Sequence, residues 1–194
     1  MRALKMAIKT IACLVLYCND AMPTIPQLRE PPVNRTAMHS LISNLKVTIR
    51  PTASSPETIV IVVTNENPFT VRFFRDFSPL DPLGPRLGML EITPQGADRR
   101  IELPYVRFER PWPPPLTSTV TMLPGTSATN DFNLLNLGLD LRTLGSSPSV
   151  LVYGRWLAVW EGAQINTTLF KLPQWAAASG NFISNNMTLN LRFQ

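Results

Sequence analysis

Histidine and cysteine are almost missing from these 194 residues: there is one histidine, His39, and there are two cysteines, Cys13 and Cys18. Each scarcity removes a class of chemistry. A Ser-His-Asp hydrolase needs a histidine held by packing and oriented by a carboxylate, and His39 stands alone in a proline-rich segment. A zinc site takes three or four His, Cys or carboxylate ligands at set spacings. No HExxH, GxSxG, Walker-type or GxGxxG pattern occurs. Chance carboxylate pairs remain, Asp76 with Asp81 or Glu102 with Glu109, but their spacing gives no sign of the fixed cleft a glycosidase uses. The chain reads as a non-enzyme that takes no cofactor and no metal.

Glycine is also sparse, at 9 residues, whereas proline reaches 19. Proline fixes φ and removes a backbone donor, so it breaks helices, and few windows long enough for a helix remain. With so little glycine the chain is not a flexible low-complexity polymer. Hydrophobic residues at 44% against charged residues at 16% place it among globular chains.

The first 21 residues have the order of a secretory signal peptide: basic Arg2, Lys5 and Lys9, an apolar run from Ile11 to Tyr17, then Asn19, Asp20 and Ala21. The run falls short of the roughly 20 residues a transmembrane helix needs, so no stable membrane insertion is expected. Loss of residues 1–21 would take both cysteines and leave a net charge of +3. A thiol-free secreted domain rests on its core, without disulfides. So small a positive excess predicts solubility and no nucleic-acid partner. Three Asn-x-Ser/Thr sequons, at Asn34, Asn166 and Asn186, fit a secreted, extracellular glycoprotein and place those positions at the surface.

Residues 22–43 read as a proline-rich linker and residues 44–194 as the folded domain. Leu45, Val47 and Ile49 alternate with Lys46, Thr48 and Arg50, the period of a half-buried strand. TIVIVVT at 58–64 is a near-continuous β-branched run, expected to be buried on both faces or nearly so. Further strands are expected near 69–77, 87–93, 117–122, 128–134, 150–160 and 187–193, with two short pieces around Pro104. A helical turn is expected only within 135–149. Leu123-Pro124-Gly125 reads as a turn in which glycine takes the positive φ, with Thr126 and Ser127 bonding its backbone. Short strands at this spacing predict an all-β fold, an immunoglobulin-like antiparallel β-sandwich of about 7–8 strands.

The order of several short motifs resembles the propeptide domain of deuterolysin-type fungal zinc metalloproteases. The residues that carry the resemblance are Thr64, Asn65 and Asn67, then Pro79, Leu80 and Asp81, then Tyr105, Arg107 and Arg110. Leu123, Pro124, Gly125, Ser127 and Asp131 follow, then Val152, Tyr153 and Gly154. The glycine expected after the tyrosine is Val106, and the protease's HExxH is absent from these residues. The resemblance implies a propeptide-like β-sandwich that binds a secreted protease or another protein as an inhibitor or chaperone-like module.

Arginine and tryptophan are the usual anchors of protein interfaces. Arg72, Arg75, Arg107, Arg110 and Trp112 are therefore the candidate partner-binding residues. Trp160 is also a candidate exposed anchor, whereas packing in the core is the plainer expectation for Trp156 and Trp160. A carbohydrate or cell-wall binding module is the alternative, with Phe73, Phe74, Tyr105 and Phe108 as its aromatic row. A secreted effector is a further one.

Overall fold

The computed structural model describes residues 40–52, 54–111, 114–162 and 177–193. Among the described residues nine strands run in the order β1 (Leu45–Pro51), β2 (Thr58–Asn65), β3 (Val71–Phe74), β4 (Leu90–Thr93), β5 (Thr119–Met122), β6 (Ser127–Asn133), β7 (Ser149–Glu161), β8 (Ala178–Ile183) and β9 (Met187–Thr188). Helix among the described residues is confined to one turn over 40–43 and four short 3₁₀ turns. Two of these, Leu134–Leu137 and Leu141–Leu144, fall where a helical turn was expected.

The strands form two antiparallel sheets. One has the order β1-β2-β6. The other centres on the 13-residue β7, which β4 and β3 pair along one edge and β8 and β9 along the other, with β5 outside β3. Inward residues of both sheets, among them Val47, Ile49, Ile59, Phe73, Ile92 and Trp156, share one buried cluster, which makes the fold a sandwich. Trp156 sits at its centre, edge-on to Phe73 at 4.8 Å and tilted against Phe182 at 5.3 Å. The Phe182 ring crosses β7 over Gly154, where an added Cβ would lie 2.6 Å from the ring.

Local chemistry explains the elements. The alternation of β1 puts Leu45, Val47 and Ile49 inside. In β2, Ile59, Val60 and Ile61 are all buried in sequence, as a central strand covered on both faces requires. The turn after β2 is built on a buried amide pair. Asn65 Nδ2 donates to the carbonyls of Phe69 and Met122, at 3.0 and 3.1 Å, and Asn65 Oδ1 accepts from the N–H and Nδ2 of Asn67. Asn67 Nδ2 also donates to the carbonyl of Leu41. Leu41, in the segment read as a linker, is buried on the helical turn over 40–43. Gly125 takes φ 70° in the expected turn, and Thr126 Oγ1 donates to Leu123 O at 2.8 Å. Ser127 does otherwise than expected: its hydroxyl pairs with that of Thr64 across β2 and β6.

Two expectations change. The pieces around Pro104 form no strand, and residues 101–111 run extended along the surface. The final strand is only β9, two residues long. Beyond it, Leu189 and Leu191 donate backbone bonds to Pro148 and Ser146 without forming a regular ladder.

Candidate interaction surface

The candidate surface is built from the loop that follows β3 and the extended strap of residues 101–111. The loop is stiff because its polar side chains bond its own backbone. Ser78 Oγ donates to Arg75 O and accepts from Leu80 N–H. Asp81 accepts two backbone donors, Phe77 N–H on Oδ2 at 2.8 Å and Leu83 N–H on Oδ1 at 2.9 Å. These bonds hold Phe77 at φ 59°, a left-handed conformation that costs a side-chain-bearing residue about 1–2 kcal/mol. Asn130 of β6 donates to Asp81 O, which fastens the loop to the three-stranded sheet.

The buried Asp81 carboxylate is also the anchor of the strap. Arg110 meets it with both terminal nitrogens, Nη2 on Oδ1 and Nη1 on Oδ2, each at 2.9 Å. Nη1 also lies 2.6 Å from Asp76 Oδ1. The guanidinium sits over the rings of Phe77, at 5.2 Å, and Phe108, at 5.7 Å. A guanidinium set between two carboxylates and flanked by rings is a use that suits arginine and not lysine, with Nη2 making the hydrogen bond and Nη1 the close charge contacts. Asp76 and Asp81 are therefore brought together, as a β fold allowed, but around one shared cation.

Elsewhere the strap is lightly held. Ile101 N–H donates to Ile92 O and Val106 N–H to Arg86 O. Between these points and Arg110 it presents Tyr105, Val106 and Phe108 outward, with Tyr105 64% and Phe108 53% exposed. Tyr105 leans on Gly88, 3.6 Å from where a Cβ would stand. Arg86 lines an open groove of about 410 Å³ next to the strap, with Pro82, Leu83 and Phe132 among its walls.

The arginines singled out from the sequence play three different parts. Arg75 and Arg107 are exposed and available. Arg110 is nearly buried and anchors the strap instead of offering a free charge. Arg72 is a correction: it is buried in β3, where its register neighbours are Thr121 and Trp160, and its Nε donates to Thr121 Oγ1 at 3.1 Å. A partner-binding residue would have to reach solvent, but the outer face of β3 is covered, with Phe74 edge-on to Trp160 at 5.0 Å. Trp160 is accordingly half-buried. The aromatic row fails for the same reason, since Phe73 and Phe74 are both buried and only Tyr105 and Phe108 reach solvent.

Trp112, Asn34 and Asn166 lie outside the described residues. Asn186 is exposed beside β9 and accepts from Ser149 Oγ. Val106 was missed, because a single valine between tyrosine and arginine looks like strand interior. Among the described residues no group of three or more His, Cys, Asp or Glu is placed to hold a metal, and no helix is long and apolar enough to cross a membrane.

A family model described as an immunoglobulin-like domain matches residues 44–191. No curated protein matches the sequence.

Proposed function

The chain belongs to the immunoglobulin-like domain family, and from that premise we propose that it is a secreted, non-catalytic protein-binding module whose docking surface is the strap of residues 101–111. The observation that carries this reading is the run of exposed Tyr105, Val106 and Phe108 pinned at one end by the Asp81–Arg110 pair. Exposed apolar side chains grouped on a segment held in place by the scaffold mark an interaction site. Aromatics flanked by the exposed Arg107 and Glu109 make the usual mixture of an interface, an apolar centre with a polar rim. The sugar-binding alternative is weaker, because two of its four aromatics are in the core.

The motif order that resembles deuterolysin-type propeptides supplies the partner class: a secreted zinc protease, bound in trans. Asn65, Asp81, Arg110 and Gly125, four of the motif residues, are among the groups that build the turns and anchor the strap. Secretion and glycosylation at Asn186 belong to the same reading.

The test uses the purified full chain and a deuterolysin-type zinc protease freed of its own propeptide. Binding at micromolar concentration with a change in proteolytic rate is expected. The double variant Tyr105→Ser, Phe108→Ser should bind at least about tenfold more weakly, or about 1.4 kcal/mol. No complex at micromolar concentration, together with an unchanged proteolytic rate, removes the protease as partner. Equal binding by the double variant removes the strap as the surface.

A further inference from the structure

A second feature lies on another face of the domain, at the seam where the two sheets meet along β1 and β8. The outward edge of β1 is defined by register. Lys46 and Thr48 face their partners on β2, whereas Ile49 N–H points away from β2 and donates to Asn185 Oδ1. By the alternation of an antiparallel ladder, Leu45 and Val47 point the same way as Ile49. On β8, Phe182 and Gly180 have the parity of Ser184, which bonds β7, so Asn181 and Ile183 point away from it. No partner from among the described residues meets the outward peptide groups of Leu45, Val47, Asn181 or Ile183. An open edge of this kind is a template for pairing with another strand.

An open groove of about 300 Å³ runs between these two edges. Ile42, Phe182 and Ile183 give it apolar walls, and Trp156 lines it from the core side. The indole Nε1 of Trp156 is buried and has no hydrogen-bond partner among the described residues. At one end of the seam a side chain already does a strand's work. Asn185 Oδ1 accepts from Ile49 N–H at 2.7 Å while its Nδ2 donates to Ile49 O at 3.2 Å. One side-chain amide thus occupies the place of a neighbouring strand's peptide group.

We propose that the β1–β8 seam is a docking site for one extended peptide segment of a partner, taken up by strand addition next to Asn185. Main-chain bonds to the two edges would supply affinity, and apolar residues at alternate positions would face Phe182 and Trp156. A second folded copy does not fit this geometry. Its edge strand has its own sheet behind it and can meet only one wall, whereas a free segment has two open edges for two walls. The seam shares no residue with the strap, so the two sites stand or fall separately.

The experiment follows backbone amide exchange and the Trp156 indole resonance in the full ¹⁵N-labelled chain. The probe is a blocked heptapeptide, Lys-Val-Thr-Val-Thr-Val-Lys. Addition of the peptide should slow exchange at Val47 and Ile183 by at least about tenfold and move the indole N–H signal. Val47→Pro removes an outward donor without touching the β1–β2 ladder, and it should weaken binding by at least about tenfold. Should that variant unfold, Ile183→Pro tests the opposite wall in the same way. The Tyr105→Ser, Phe108→Ser variant should bind the peptide like the parent. Four results would overturn the proposal. These are protection of the same amides in the free protein, no protection at millimolar peptide, and equal shifts with a peptide carrying proline at its valine positions. The fourth is loss of binding in the strap variant.

Discussion

The three-stranded sheet and the strap are held by opposite means. Strands β1, β2 and β6 are joined by continuous backbone ladders, seven register pairs on each side of β2, and the inward side chains of β1 and β2 are mostly aliphatic. The strap has two backbone bonds to the body and one arginine fork. A ladder spreads its free energy over many small contributions, so no one outward side chain matters much. A strap concentrates it in one buried ion pair, so Arg110 and Asp81 matter greatly and the residues between anchors are free to serve a partner. On the proposed reading, stability and recognition fall to different side chains on the same short segment.

Asp81→Ala tests that concentration most severely. It leaves the Arg110 guanidinium with Asp76 alone and frees the Phe77 and Leu83 amides, and breaking a buried pair in this way costs about 3–5 kcal/mol. Urea denaturation should show that loss, and the Asp81→Ala, Arg110→Met double variant should recover part of it. A loss below about 1 kcal/mol would mean the strap is held some other way.

Gly154→Ala probes the body of the sandwich instead. The new Cβ would collide with the Phe182 ring, and overpacking of this kind costs about 1–3 kcal/mol. Thermal melting should fall accordingly, and Phe182→Leu in the same chain should relieve part of the loss. A neutral result would show β8 to be looser on β7 than its packing implies.

The smallest effect expected is at the start of β2. The Ser55 hydroxyl, and secondarily its own backbone and Asn133, hold the Glu57 carboxyl below the ordinary glutamate value. A depressed carboxylate contributes stability above the unfolded-state value, and that contribution disappears as pH falls through the folded one. Glu57→Gln should therefore lower stability slightly near neutrality, change nothing in strong acid, and so flatten the acid limb of the stability profile. A steeper acid limb in the variant would contradict the assignment.

How much of this was legible in the sequence depended on whether one face of a strand looked at water. Strands β1 and β2 announced themselves through alternation and a β-branched run. Strand β8 did not, because Ala-Ser-Gly-Asn-Phe-Ile has neither pattern and owes its place to pairing with β7. Residues 101–111 contain good strand formers, yet Pro104 and Pro111 withhold donors and only Ile101 bonds a strand, at Ile92 O of β4. Of the candidate site, Arg75, Arg107, Tyr105 and Phe108 were read where they are, on the surface. Arg72 was misread because nothing local reveals that Trp160 and Thr121 arrive from far along the chain to cover it. The anchoring role of Arg110 was hidden for the same reason: its partners are 29 and 34 residues away.

The amide pair at Asn65 and Asn67 links the body of the domain in time as well as in space. It ties the turn after β2, the end of β5 and the helical turn before β1 to a single side-chain node. None of the three can detach without stranding buried acceptors of the others. Opening at this end of the sandwich should consequently be concerted, and hydrogen exchange should find its amides with one common rate instead of fraying independently as loop ends usually do.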